Sequence, residues 1–257
     1  MSQPLLEAKG LTVQFGGLKA VDGVDFTVRQ GEVFSLIGPN GAGKTTTFNL
    51  ISGLYRATAG EIRLNGELIS RLPAHRIAGL GVARTFQNIE LFEHATVLQN
   101  LLIGCHTQRR SRMWQDALFT RTARRRELEF RTQVEQVIDF LDLQHYRDML
   151  VDGLPYGVRK VVELGRALAM KPHLLLLDEP SSGLNPEETE DMAYWIEDIR
   201  DDLGITVVMV EHDMSLVSRV SDRVLALNYG RVLATGTAAE VQSNASVIEA
   251  YLGGPEE

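Results

Sequence analysis

Residues Gly38 to Thr45 read GPNGAGKT and fit the spacing G-x-x-x-x-G-K-[ST]. Each residue type in that pattern has a chemical reason. Glycines let a backbone fold around a phosphate chain without Cβ clashes and turn its N–H groups inward. Lys44 supplies a point charge to the outer phosphates, and Thr45 a hydroxyl for Mg²⁺. The pattern needs a strand before it and a helix after it. Glu32 to Gly38, EVFSLIG, is a short apolar run suited to the strand; KTTTFNLISGL has helical spacing and stops near Gly53. The positive end of that helix, near Gly43, adds a field that favours anions.

A cradle for phosphates does not say what the bound energy is used for. The second half of the chemistry lies in LLLLDEP. Asp178 closes an apolar strand, where a carboxylate can hold Mg²⁺ through water. Glu179, one residue on, points to the other side of the strand direction and can polarise an attacking water. An Asp-Glu pair at a strand end often only caps the next helix. Beside the cradle, phosphoryl transfer to water is the stronger reading.

These groups need an α/β scaffold. LLEAKGLTVQF and VDGVDFTVR alternate apolar and polar residues, which predicts antiparallel strands with turns near Gly16-Gly17 and Gly31. GEIRLNG predicts another strand, between Gly60 and Gly66. Leu174–Leu177 and Thr206–Val210 are uninterrupted apolar runs, as in strands buried on both faces of a parallel sheet. NPEE opens a helix from Pro186 to Leu203, and RVLALNYGRVLATG predicts a hairpin turning at Tyr229-Gly230, before a helical tail. From about Ile103 to Arg147 the chain turns helical and charged, and VEQVIDFLDL is amphipathic. This stretch reads as a helical subdomain inserted in an α/β core.

Bulk properties narrow the function classes. With 257 residues the chain can bury a sizeable core, and 44 % hydrophobic with 23 % charged residues is an ordinary globular balance. A net charge of −8 argues against a surface built to coat nucleic acid. One cysteine, Cys105, excludes an internal disulfide and fits a reducing compartment. No signal peptide is visible and no apolar run approaches the length of a bilayer span, so a cytoplasmic protein is expected, with any membrane role reached through partners. Between His106 and Arg131, eight arginines (109, 110, 112, 121, 124, 125, 126 and 131) face three acidic residues. They form either a solvated helical face or a contact with membrane partners or anionic head groups.

In order and spacing these motifs resemble the ATP-binding subunits of ABC transporters over almost the whole chain. The resemblance implies a P-loop NTPase core of the ABC type, with an N-terminal antiparallel β region and an inserted α-helical subdomain. It makes residues 1–257 one ABC ATPase domain: an α/β core at 1–88 and 172–257 carries the nucleotide site, and a helical subdomain at 89–171 carries the signature segment. ATP and Mg²⁺ are the implied cofactors. Gly38, Pro39, Asn40, Gly41, Ala42, Gly43, Lys44, Thr45 and Thr46 match the phosphate loop, and Phe15 matches the aromatic that stacks on adenine. Gln87, in RTFQNIELF, matches the glutamine that joins Mg²⁺, with Thr45 and Asp178 as the other metal positions. Glu179 matches the catalytic glutamate and His212, in VMVEHDM, the switch histidine; with Lys44 these form the implied catalytic set. Taken singly, Phe15 reads as core, Gln87 as surface and His212 as structural.

The phrases FGGLKAVDGV, GVARTFQNIELF, TVLQNLLIG, DEPSSGLNPEET and VIEAYLG resemble the larger ATP-binding protein of branched-chain and hydrophobic amino acid importers. That resemblance implies two permeases, a second ATP-binding subunit forming an ATP sandwich, an external binding protein acting indirectly, and a place on the inner face of the membrane. A lipopolysaccharide-type exporter ATPase and a soluble non-transport ABC ATPase are the alternatives. The extended segment at 105–131 and the ending VIEAYLG argue against the first. One cradle and no heptad run argue against the second.

At the dimer interface the family has LSGGQ, whereas this chain has Leu154, Pro155, Tyr156, Gly157 and Val158; Ser182 and Asn185, in SSGLN, occupy the loop that crosses the interface. Pro155 has neither hydroxyl nor N–H, so a serine-type contact to the partner's γ-phosphate is absent by chemistry. Gly157 and the positive end of the following helix remain.

Overall fold

The computed structural model describes residues 4–108 and 121–252. The chain forms two compact units. Met1–Arg84 with His173–Glu257 makes one, and Thr85–Pro172 the other. The helical unit thus starts at Thr85, ahead of the expected residue 89, and takes Gln87 with it.

In the first unit, β1 (Leu6–Phe15) and β2 (Leu18–Val28) pair antiparallel through a turn at Gly16-Gly17. The next strand, β3 (Val33–Ile37), is buried throughout. Then come α1 (Lys44–Ile51), β4 (Ala59–Leu64), β5 (Glu67–Leu68), α2 (Ala74–Gly79) and β6 (Val82–Arg84). The two-residue β5, α2 and the three-residue β6 are too short to carry a readable period, and the sequence reading passes over them.

The helical unit contains α3 (Val97–Gly104), α4 (Arg121–Phe140) and α5 (Tyr156–Leu168). Thr96 caps α3 through a reciprocal capping box with Gln99. Its core is apolar, with Val97, Leu101, Val134, Ile138, Leu164 and Leu168 all buried. Gly104 and Gly165 let α3 and α5 lie close: a Cβ on Gly104 would stand 2.2 Å from the Arg166 carbonyl oxygen. Of the arginine-rich stretch, Arg109, Arg110 and Arg112 lie outside the described residues. Arg125 and Arg131 pair with Glu129 and Glu127 one helical turn away on exposed α4, contacts of little net stability.

The chain then re-enters the first unit through β7 (Leu174–Asp178), α6 (Pro186–Asp201), β8 (Thr206–Val210), α7 (Met214–Val220), β9 (Arg223–Asn228), β10 (Arg231–Gly236), α8 (Ala238–Gln242) and α9 (Ala245–Leu252). Two sheets result, β2-β1-β4-β5 and β10-β9-β3-β8-β7-β6. In the larger sheet β9, β3, β8, β7 and β6 run parallel, and β10 closes one edge antiparallel. Every residue of β3, β7 and β8 is buried, as the continuous apolar runs predict. The β9–β10 hairpin turns at Tyr229 and Gly230, both with positive φ (45° and 75°), the requirement of a two-residue turn. Among the described residues no helix is long and apolar enough to cross a membrane.

Candidate functional site

The parallel strands deliver three loops to one edge of the larger sheet. β3, β8 and β7 are neighbours in that order, with Leu36 level with Val210 and Val210 level with Asp178. Their carboxyl ends therefore open together, which is where α/β sheets place ligand sites. The loop after β3 is the phosphate loop; the loops after β7 and β8 begin with Glu179 and Glu211-His212.

Gly43 precedes α1 with φ 102°, and a Cβ there would stand 2.5 Å from the Ala20 carbonyl oxygen. The loop is thus closed against β2 in a conformation only glycine holds without strain. Gly43→Ala is expected to cost about 1–3 kcal/mol in backbone strain, to which the clash adds. Denaturant unfolding of the variant beside the wild type measures it.

Lys44 is buried, and its Nζ donates to the carbonyls of Gly38 at 2.6 Å and Pro39 at 3.0 Å. Burial pushes its ammonium below the ordinary lysine range, opposed by the nearby carboxylates of Glu179 and Asp178. Thr45 and Asn40 are exposed, and Pro39, Gly43 and Thr46 are half-buried. Gly41 is exposed with φ 79°, while Ala42 is buried and sends its N–H to the Pro39 carbonyl at 3.1 Å.

Asp178 ends β7 and is buried. Arg84, at the end of β6, donates to its Oδ2 at 2.7 Å and reaches Asn49 Oδ1 at 2.7 Å and Ser52 Oγ at 2.9 Å. This arginine lies over the Phe48 ring, 5.6 Å from its centroid. Sequence reading missed Arg84, because nothing in VAR marks it off from a surface arginine. Glu179 parts from Asp178 by turning the chain, with φ 51°, a left-handed conformation uncommon for glutamate. Its Oε1 lies 2.8 Å from His212 Nε2. The two residues, 33 positions apart, meet because β7 and β8 are adjacent.

Phe15 is 46 % exposed at the end of β1, so the core reading of this aromatic does not hold. It meets Tyr55 edge to face, with centroids 5.2 Å apart. Ser182 N–H bonds the Glu179 carbonyl at 3.1 Å. Asn185 caps α6: its side chain accepts from Glu188 N–H at 3.0 Å, and Glu188 answers on Asn185 N–H at 2.9 Å.

In the helical unit, Gln87 sits on an exposed bend. Pro155 stands at the N-cap of α5 with an extended backbone and gives no side-chain cap; Tyr156 is exposed and Gly157 buried in the first turn. Val158 is half-buried. The buried carboxylate of Glu163 accepts Phe86 N–H at 3.3 Å, and Arg166 bonds the Glu90 carbonyl. Burial raises the Glu163 carboxyl above its usual range, opposed by the Phe86 N–H, Arg166 and Lys160. These bonds join the segment around Gln87 to the helix that starts at the signature.

Comparison with known proteins bears on the whole chain. The ABC transporter family model matches residues 21–182, and a branched-chain amino acid ATP-binding cassette transporter model matches 231–257. The high-affinity branched-chain amino acid transport ATP-binding protein BraF of Pseudomonas aeruginosa is 43 % identical over 253 residues, 98 % of this chain and 99 % of that protein. The lipopolysaccharide export system ATP-binding protein LptB of Haemophilus influenzae is 34 % identical, over 97 % of both chains. A crystal structure of a nucleotide-free ATP-binding cassette from an ABC transporter superposes with a TM-score of 0.85 at 30 % identity, over 98 % of this chain and all of that one. Since the matched span covers the phosphate loop, the carboxylate pair and the whole helical unit, the chain belongs to the ABC transporter family.

Proposed function

We propose that this chain is the ATP-hydrolysing subunit of a membrane importer for branched-chain or other hydrophobic amino acids. The observation that carries the hydrolytic part is the 2.8 Å contact of His212 Nε2 with Glu179 Oε1, at the sheet edge that bears Lys44. The phosphates of ATP enter the loop Gly38 to Thr46, where backbone N–H groups and Lys44 meet their charge. Lys44 then exchanges its bonds to the Gly38 and Pro39 carbonyls for phosphate oxygens. Phe15 offers its exposed face to adenine.

The Thr45 hydroxyl and the Asp178 carboxylate are oxygen donors of the type Mg²⁺ takes, and would hold it together with phosphates and water. An ion held there would supply neutralising charge for phosphoryl transfer. Glu179 polarises the attacking water, and His212 holds that carboxylate while its ring supports the γ-phosphate. A second ATP-binding subunit completes the sandwich with its own signature segment. Two permeases hold the pair at the inner face of the membrane and turn closure into transport.

The amino acid substrate is supported by the match of the C-terminal segment to the branched-chain family and by the greater identity to BraF than to LptB. Purifying the tagged chain from gently solubilised native membranes tests the reading. Two different permeases and a second ATP-binding subunit are expected with it, and vesicles carrying that assembly should take up leucine-like amino acids with ATP. Exporter-type permeases around a pair of identical chains would overturn the import reading.

The signature carries its own expectation. Pro155→Ser supplies the missing hydroxyl at the α5 N-cap and a backbone donor. Turnover of the assembled complex should rise by about tenfold or more, since a charge-assisted hydrogen bond is worth about 1.5–3 kcal/mol. An unchanged ATPase rate would mean that the segment does not meet the partner's γ-phosphate through this residue.

A further inference from the structure

We propose that Glu211 is a positioning residue that locks the loop after the carboxylate pair to the loop bearing His212, so that segment 181–185 and the Glu179–His212 contact shift together. The proposal rests on the hydrolytic reading of this site. Glu211 directly follows β8 and is 2 % exposed. Its Oε1 accepts Ser181 N–H at 2.8 Å, while Oε2 accepts His212 N–H at 2.7 Å and Asp213 N–H at 3.1 Å. One carboxylate thus takes three backbone donors from two loops.

Burying a carboxylate is far more costly than burying a neutral acceptor. Loop N–H groups beside an exposed His212 can also be satisfied by water. What one carboxylate does and water does not is fix the distance between the two loops. Each arm leads to a functional group. Ser181 opens the turn that closes on Leu184 N–H at 3.0 Å and runs into the Asn185 cap, the segment proposed to face the second subunit. Asp213 caps α7 through Ser215 N–H at 2.8 Å and Leu216 N–H at 3.3 Å, so the His212 loop is held from both sides. Glu179 N–H bonds the Val210 carbonyl at 2.9 Å, one residue before Glu211. Movement of segment 181–185 therefore reaches the His212 backbone through the Glu211 carboxylate, alongside the Ser182 N–H bond to the Glu179 carbonyl, and a partner subunit that shifts this segment resets the catalytic pair.

Glu211→Gln tests this with a side chain of the same shape and one acceptor oxygen fewer. It can keep one arm of the bridge but turns an amide N–H toward the other donor. In the assembled transporter, kcat for ATP hydrolysis should fall on the order of tenfold to a hundredfold, the scale of a small misplacement at a reacting centre. KM and the binding of a fluorescent ATP analogue should stay within about twofold. Combined with His212→Ala, the variant should be no slower than about twofold below His212→Ala alone, because residues acting through one another are not additive. A kcat within about twofold of wild type, or losses that multiply in the double variant, overturns the proposal. Loss of ATP binding along with turnover also overturns it, since Glu211 would then only support the fold. The wild type and Glu179→Gln, run alongside, separate the two readings: a wild type without ATPase, or a Glu179→Gln complex as fast as wild type, removes the hydrolytic reading and this proposal with it.

Discussion

Glu179→Gln is expected to cut ATP turnover of the assembled complex by about 10²–10⁴-fold, the range for loss of a general base. The change is isosteric and leaves the cradle untouched, so ATP should still bind. The expected state is therefore a loaded, closed dimer that does not hydrolyse. The physical reason is local. Glu179 is held in a left-handed backbone conformation at the end of β7, anchored by its N–H to the Val210 carbonyl, with Oε1 on the His212 ring. An amide in that place keeps a hydrogen bond to the ring but no longer draws a proton from water. Measuring steady-state phosphate release and nucleotide retention on the same preparation checks both halves. Turnover within about tenfold of wild type would assign the base to another group.

The second large effect concerns Arg84. Arg84→Leu should destabilise the protein by about 3–5 kcal/mol, because it removes the guanidinium from a buried carboxylate. Both side chains of the Arg84–Asp178 pair are almost fully covered, at 8 % and 3 % exposure, so water does not screen or replace the contact. The same guanidinium joins Asn49 and Ser52 of the α1 turn to β7, and its loss frees three elements from one another. For a chain of this size the midpoint of thermal unfolding should drop by roughly 6–20 °C. Arg84→Lys keeps the charge but not the planar fork, and should recover part of the loss. Thermal melts of the two variants beside wild type decide the matter: an unchanged midpoint for Arg84→Leu means the pair contributes no net stability. ATPase activity should fall as well, since Asp178 is then no longer held at the edge of the site.

The sequence alone determined the parts whose cause is local. The GPNGAGKT loop is legible because its glycines, lysine and threonine each answer a constraint within a few residues. The β9–β10 hairpin is legible because Gly230 suits a tight turn between two apolar-rich runs, and β3, β7 and β8 because buried parallel strands are apolar without a break. The start of the helical unit at Thr85 falls where no composition shift marks it. Only the tertiary structure decided which distant side chains meet. That β8 lies between β3 and β7 brings His212 to Glu179, and the length of β6 brings Arg84 to Asp178. It also decided that Glu211, an unremarked acid beside a histidine, takes three backbone donors. Strand order and loop closure follow from summed burial over the whole chain, and no single stretch of residues encodes them.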